Sequence, residues 1–197
     1  MAIPCPLSDK RGVAATELAL LAPMLLLMLL AMVDITRFAI SVLVVDRVAA
    51  GVADLGAQFD RIRAGTTITQ GNEVGVLFLA AQEMGRPLDM TGTGKVIVSS
   101  VSDQGAGARL MWQACSGPAG CATGPKSGIA SVPGAAAALP EGFSVRFGDT
   151  ALFVEAFYDF RPYLLSARWL GRDDTLVGLR RSAVRRPRLG ALTSLDP

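Results

Sequence analysis

From Leu18 to Val33 the chain carries no charged side chain, and nearly every residue is Leu, Met or Ala. With the turn before it, this run is long enough to cross a bilayer as a helix, which takes about 20 residues. At its mouth stands a carboxylate, Glu17. An ionised acid at the centre of a membrane helix costs about 2.5–3.5 kcal/mol, so Glu17 needs either a partner or a shallow position. Close to a helix N-terminus, the helix dipole and the headgroup level both ease that cost. Pro23, inside the run, is tolerated in a membrane helix. Lys10 and Arg11 flank the entry and favour a cytoplasmic N-terminus by the positive-inside bias, a contrast that Arg37 and Arg47 weaken. No small-x-small cleavage site of a secretory signal follows the run; Asp34 and Arg37 continue a helical pattern instead.

Beyond the run, a helical stripe continues. Apolar residues recur at Ile40, Val44, Val48, Val52, Leu55, Phe59 and Ile62, with Asp46, Arg47, Asp54, Gln58, Asp60 and Arg61 mostly off that face. Residues 13 to about 63 therefore read as one helix, about 75 Å long at 1.5 Å per residue, stopped at Ala64-Gly65. A short helix follows from Glu73 to Met84, with Asn72 as N-cap and Gly85 as terminator. The pattern then becomes β: Lys95–Val101, a turn at Asp103–Gly107, a return strand Ala108–Gln113, a short strand Phe143–Phe147, the strong strand Ala151–Phe160, and Leu176–Val184. Residues 115–142 read as a long Gly-, Pro- and Ala-rich loop, and the C-terminus from Pro187 as a soft tail. A long helix followed by antiparallel strands is an α+β arrangement, with the helix laid on one face of a small sheet.

Composition excludes several chemistries. There is no histidine among the 197 residues, which removes imidazole from any triad, metal site or pH switch. The formal charge of +2 gives no global attraction to nucleic acid. Cys115 and Cys121 bracket a Gly/Pro loop and read as a disulfide if that part lies outside the cytoplasm, with two reduced thiols as the alternative. Two cysteines without histidine are too few for a metal site. Cys5 lies ahead of the apolar run. Gly92-Thr93-Gly94 and Gly105-Ala106-Gly107 lack the strand-to-helix context of a phosphate loop. Asp173-Asp174 and Asp159 lack calcium-loop spacing, and Glu155 and Asp159 share one strand face. No catalytic residue, metal or cofactor is expected. Arg180, Arg181, Arg185, Arg186 and Arg188 form the one basic cluster. It suits an acidic partner or lipid headgroups, although such a run is more often an edge strand guarded by its charges. Without interleaved aromatics it does not suit nucleic acid.

One resemblance joins these features. Lys10-Arg11-Gly12, four small or neutral residues, Glu17 and an apolar helix resemble the processing site of type IV prepilins. More closely, Arg11-Gly12, Thr16 to Leu20, Pro23 and Asp34-Ile35-Thr36-Arg37 are similar to TadE-like proteins, the pseudopilins of tight-adherence (Tad/Flp) pilus systems. Leu18 departs from the Phe usual there, and Tyr158–Tyr163 weakly resembles an aromatic-Arg-Pro turn late in such domains. The resemblance implies cleavage between Gly12 and Val13 by a prepilin peptidase, with Glu17 meeting the N-terminal ammonium of a neighbouring subunit. It implies a non-enzymatic minor pilin in the bacterial inner membrane, lollipop-shaped. Its parts would be a leader (1–12), a transmembrane helix (13–36), an amphipathic extension (37–64) and an extracytoplasmic head (65–197). The implied partners are the peptidase, the major pilin, a sister minor pilin, the inner-membrane assembly platform and lipid. The competing expectation is an unprocessed, signal-anchored periplasmic binding or scaffold protein.

Overall fold

The structure is a computed structural model and describes residues 12–90, 92–163 and 177–197. Cys5, Lys10, Arg11, Asp173, Asp174 and Leu176 lie outside the described residues. The chain divides into two compact units, Met1–Ala39 with Arg161–Thr175, and Ile40–Phe160 with Leu176–Pro197. One helix, α1 (Val13–Gly56), begins in the first unit and ends in the second.

In the first unit α1 is apolar all round from Leu18 to Val33, and from Leu18 to Met32 its large side chains stand exposed. It is the one described helix long and apolar enough to cross a membrane. In the second unit the same helix becomes amphipathic. Ser41, Val44, Val45, Val48, Ala49, Val52, Ala53 and Gly56 are buried, in steps of three and four, while Asp46 and Arg47 face out. That stripe packs on Val96, Val98, Trp112, Leu152, Val154 and Ala156 of a four-stranded sheet. Two glycines permit the close approach. A Cβ on Gly56 would stand 2.5 Å from Leu152 Cδ2, and one on Gly51 would stand 2.4 Å from Met84 Sδ.

The sheet comprises β2 (Gly94–Asp103), β3 (Ala108–Cys115), β4 (Thr150–Phe160) and β5 (Val177–Arg185), all antiparallel, in the order β3-β2-β4-β5. Its hairpin turns where the expected cluster stands: Gly105 and Gly107 donate to the Asp103 carboxylate at 2.8 and 3.1 Å. The face away from α1 is covered by the long loop. Ile129, Val145 and partly buried Phe143 pack on Val101, Leu110 and Phe153, with the Phe143 and Phe153 rings edge to face at 5.5 Å.

Four expectations need correction. First, α1 ends at Gly56 rather than near residue 63. Phe59 and Ile62 fit the helical stripe, but Ile62 reaches the core from a short strand, β1 (Ile62–Arg63), paired in parallel with β6 (Leu195–Asp196). Second, the C-terminus is tied down, not soft. The Leu192 carbonyl accepts the Ser100 hydroxyl at 2.5 Å and the Trp112 indole N–H at 2.8 Å, and Leu192 is buried. Third, residues 143–147 form no strand; they make one bridge, Asp103↔Phe147. Val145 and Phe143 pack with Val101, Leu110 and Phe153, so this apolar segment covers the face of the sheet instead of extending it. Fourth, the second helix, α2 (Val74–Met84), is capped at Glu73 rather than Asn72. Asn72 instead donates to the Arg61 carbonyl at 3.3 Å.

The two donors on the Leu192 carbonyl make a prediction. Ser100→Ala or Trp112→Phe alone leaves that buried acceptor one partner, whereas the double variant orphans it. The double variant is expected to lose more stability in urea unfolding than the two singles summed, the excess being about 1–3 kcal/mol. Strict additivity would show that the two bonds act independently.

Candidate functional site

Gly12 occupies the turn from which α1 starts, and nothing lies within 4 Å of where its Cβ would stand. Its carbonyl accepts both the Thr16 N–H at 3.2 Å and the Thr16 hydroxyl at 3.3 Å, closing the first turn. Val13 is the first helical residue. Glu17, one turn further on, is exposed among the exposed side chains of Leu18, Leu20 and Leu21. The next charge along the helix is Asp34. An open glycine, a helix N-terminus with unsatisfied N–H groups, and one carboxylate on an otherwise apolar surface are therefore gathered within two turns. Such a segment can be approached by an enzyme at Gly12 and by a cation at Glu17.

Asp34 is the opposite case. It is 2% exposed although Val33 and Ile35 beside it face out. Its Oδ1 accepts the backbone N–H of Tyr163 at 3.0 Å and lies 3.7 Å from Arg37 Nη1. The Arg37 guanidinium in turn stacks on the Tyr163 ring, 3.9 Å from its centroid.

In the second unit Glu73, Glu155 and Lys95 hold loops. Glu73 is buried, and its carboxylate accepts the Thr69 hydroxyl at 2.5 Å and the backbone N–H groups of Thr69, Gln70 and Gly71 at 2.9, 2.6 and 2.8 Å. The Thr69 hydroxyl and then the Gln70 and Thr69 amides bring its pKa from 4.5 down to about 2, against the opposing effect of burial. Glu155 is 0% exposed. It accepts from the Ser127 hydroxyl, from Gly128 N–H at 3.1 Å and from Arg180 Nη2 at 2.5 Å. Asp159, on the same strand, is exposed, so the two acids form no pair. Lys95 donates to the carbonyls of Gly120, at 2.7 Å, and of Thr123. Burial and, secondly, the charge of Lys126 lower its pKa.

The basic cluster is divided among three acids. Arg180 binds Glu155, Arg185 Nε lies 2.5 Å from Asp54 on α1, and Arg186 lies 3.5 Å from Asp149. Arg181 and Arg185 also donate to the carbonyls of Arg180 and Val184 at 3.0 and 2.9 Å. The backbone N–H of Arg188 donates to the Ala57 carbonyl at 3.0 Å. β5 is an edge strand, and these guanidinium groups occupy two of its carbonyls. The Cys115 and Cys121 sulfurs are bonded in the structure, 2.04 Å apart, across a sequence separation of 6. A 3-10 turn, Gly120–Ala122, sits at that loop, so Lys95 and the cysteines hold the same segment. Among the described residues no group of three or more Cys, Asp or Glu side chains is placed to hold a metal ion.

Sequence reasoning singled out Gly12, Val13 and Glu17, and these are adjacent in the structure. It missed the use of Glu73, Lys95 and Asp34. Only Asp34 carried a local signal, as a charge at the end of an apolar run.

Residues 12–54 match the family model described as TadE-like protein. The match starts at the open glycine and stops two residues short of the end of α1, leaving the sheet outside it. No curated protein and no solved structure matches the chain.

The lowered pKa of Glu73 gives a pH prediction. A depressed carboxylate contributes stability that is complete above its unfolded value of 4.5 and is lost as pH falls through about 2. Denaturant unfolding between pH 7 and pH 2 should therefore show wild type losing more stability below pH 4.5 than Glu73→Gln, which lacks this titration. Parallel curves for the two proteins would refute the assignment.

Proposed function

We propose that the chain is a minor pilin, or pseudopilin, of a Tad-type (Flp) pilus, acting in assembly, initiation or at the tip. The observation that carries this reading is the TadE-like match beginning at Gly12 and running along α1 with Glu17 in its second turn. In this reading a prepilin peptidase cuts between Gly12 and Val13, at a glycine that has open space around it. The new ammonium of one subunit meets Glu17 of its neighbour. Each charge is costly alone in lipid, and pairing offsets that cost while fixing subunit register.

α1 anchors the chain in the bacterial inner membrane with its N-terminus in the cytoplasm. The sheet-bearing part lies in the periplasm, where an oxidising environment keeps Cys115 and Cys121 bonded. The partners are the peptidase, the major pilin, a sister minor pilin, the inner-membrane assembly platform and lipid. Arg181 and Arg188, beside the ion-paired Arg180, Arg185 and Arg186, make the basic contact surface. Assembly rather than catalysis is favoured by the lack of histidine and by the engagement of Glu73 and Glu155 in internal hydrogen bonds.

Intact mass and N-terminal sequencing of membrane-extracted protein, expressed with and without a cognate prepilin peptidase, test the reading. The expected result is a new terminus at Val13 that appears only with the peptidase. A chain that keeps its first twelve residues in both cases would instead be a permanently anchored periplasmic binding or scaffold protein. Glu17→Ala is expected to insert and be cleaved normally yet to abolish piliation in a complementation assay; wild-type piliation would remove Glu17 from the mechanism.

A further inference from the structure

The far end of the apolar run holds a second arrangement, which pilus assembly does not account for. From Glu17 to Asp34 α1 rises about 26 Å at 1.5 Å per residue, close to the hydrocarbon thickness of about 30 Å. With Glu17 at one edge of a bilayer, Asp34 therefore reaches the opposite edge. A carboxylate at that depth is costly unless it is hydrogen-bonded or paired. Asp34 is both: it is buried, holds the Tyr163 N–H at 3.0 Å, and has Arg37 at 3.7 Å. The bond joins residues 129 positions apart, so it brings a distant part of the chain, Arg161–Tyr163, back to the membrane end of the helix.

What this segment presents there has a definite chemistry. Tyr163 is 72% exposed, and the Arg37 guanidinium stacks on its ring at 3.9 Å. Arg161 is exposed two residues earlier. An aromatic ring with a polar tip, flanked by arginine, suits the interfacial layer of a bilayer, and guanidinium groups are attracted to anionic headgroups there. We propose that Asp34 is a positioning residue that fastens Arg161–Tyr163 at the headgroup layer, where Arg37, Arg161 and Tyr163 make a second membrane contact separate from the α1 span. The proposal rests on α1 crossing a bilayer and does not depend on cleavage at Gly12 or on a pilus.

The test uses full-length protein carrying Cys5→Ser in vesicles of phosphatidylcholine and phosphatidylglycerol. A nitroxide is attached at Pro162→Cys or, as a reference, at Met24→Cys in the middle of the apolar run. Accessibility to oxygen and to a water-soluble nickel chelate reports depth. The Pro162 label is expected at headgroup depth and the Met24 label in hydrocarbon. Adding Asp34→Ala should raise nickel accessibility at residue 162 several-fold and leave the Met24 label unchanged. Asp34→Asn, which keeps an acceptor for the Tyr163 N–H, should largely preserve the wild-type depth. A Pro162 label as accessible as one in water, with Met24 still shielded, overturns the proposal while leaving the membrane span intact. An accessible Met24 label overturns both. A Pro162 label that stays at headgroup depth in Asp34→Ala removes Asp34 from the positioning role.

Discussion

One continuous helix backbone carries two different surfaces. In the first unit the apolar run can close its backbone N–H and C=O groups within α1 except at Pro23, which has no N–H to offer the Ala19 carbonyl; such internal closure is what a segment surrounded by lipid requires. In the second unit the helix must instead expose a stripe that a protein core will accept. The change is made by side chains alone: Leu and Met all round give way to Val, Ala and Gly on one face and Asp and Arg on the other. The small residues matter as much as the apolar ones. Ala49, Ala53 and Gly56 are buried on the face toward the sheet, and Leu152 of β4 reaches the helix directly at Gly56. A glycine within a helix costs about 1 kcal/mol relative to alanine. At Gly56 that cost is offset by the fit against Leu152, which any side chain would disturb.

The rest of the second unit depends on that contact, but hydrophobic burial does not fix its irregular segments. Polar anchors do. Glu73 gathers three consecutive amides, Glu155 holds Ser127 and Gly128 against the open face of the sheet, and Lys95 holds the carbonyls of Gly120 and Thr123. A buried carboxylate left without partners would cost several kcal/mol. In this fold each buried acid is bonded to a loop, and each such loop is thereby specified. Arg180 illustrates the consequence. Its charge completes the Glu155 network, so what reads in the sequence as a surface cluster is partly a structural element.

Legibility in the sequence followed the range of the interaction. The α1 stripe, α2, and the strands of the β2–β3 hairpin are set by local periodicity and by the Asp103–Gly107 turn, and they could be read directly. The end of α1 could not, because Phe59 and Ile62 satisfy a helical period and a β1 strand equally well. The choice is made by Leu195 and Asp196, more than a hundred residues away. Residues 143–147 alternate as a strand should, yet Phe143 and Val145 pack on the face of the sheet and the segment makes a single bridge. Gly12, Val13 and Glu17 were singled out from their spacing alone, and the structure places them at the start and in the first turns of α1. The Asp34–Tyr163 and Arg180–Glu155 bonds could not be read that way, since neither partner predicts the other by position.

The limits of the TadE-like match follow the same division. It covers residues 12–54, almost all of α1, and none of the sheet. A helix that is apolar on every side from Leu18 to Met32 and packed on a sheet further along is constrained over much of its surface and along its whole length. A charge, a glycine or a proline cannot be moved there without changing depth, register or access. A small sheet on one helix face is constrained mainly by volume and alternation, which many sequences satisfy. A family signature confined to the helix is therefore what this architecture leads one to expect. Asp34, still inside the matched segment, accepts the backbone N–H of Tyr163, a bond that any residue but proline at position 163 could donate.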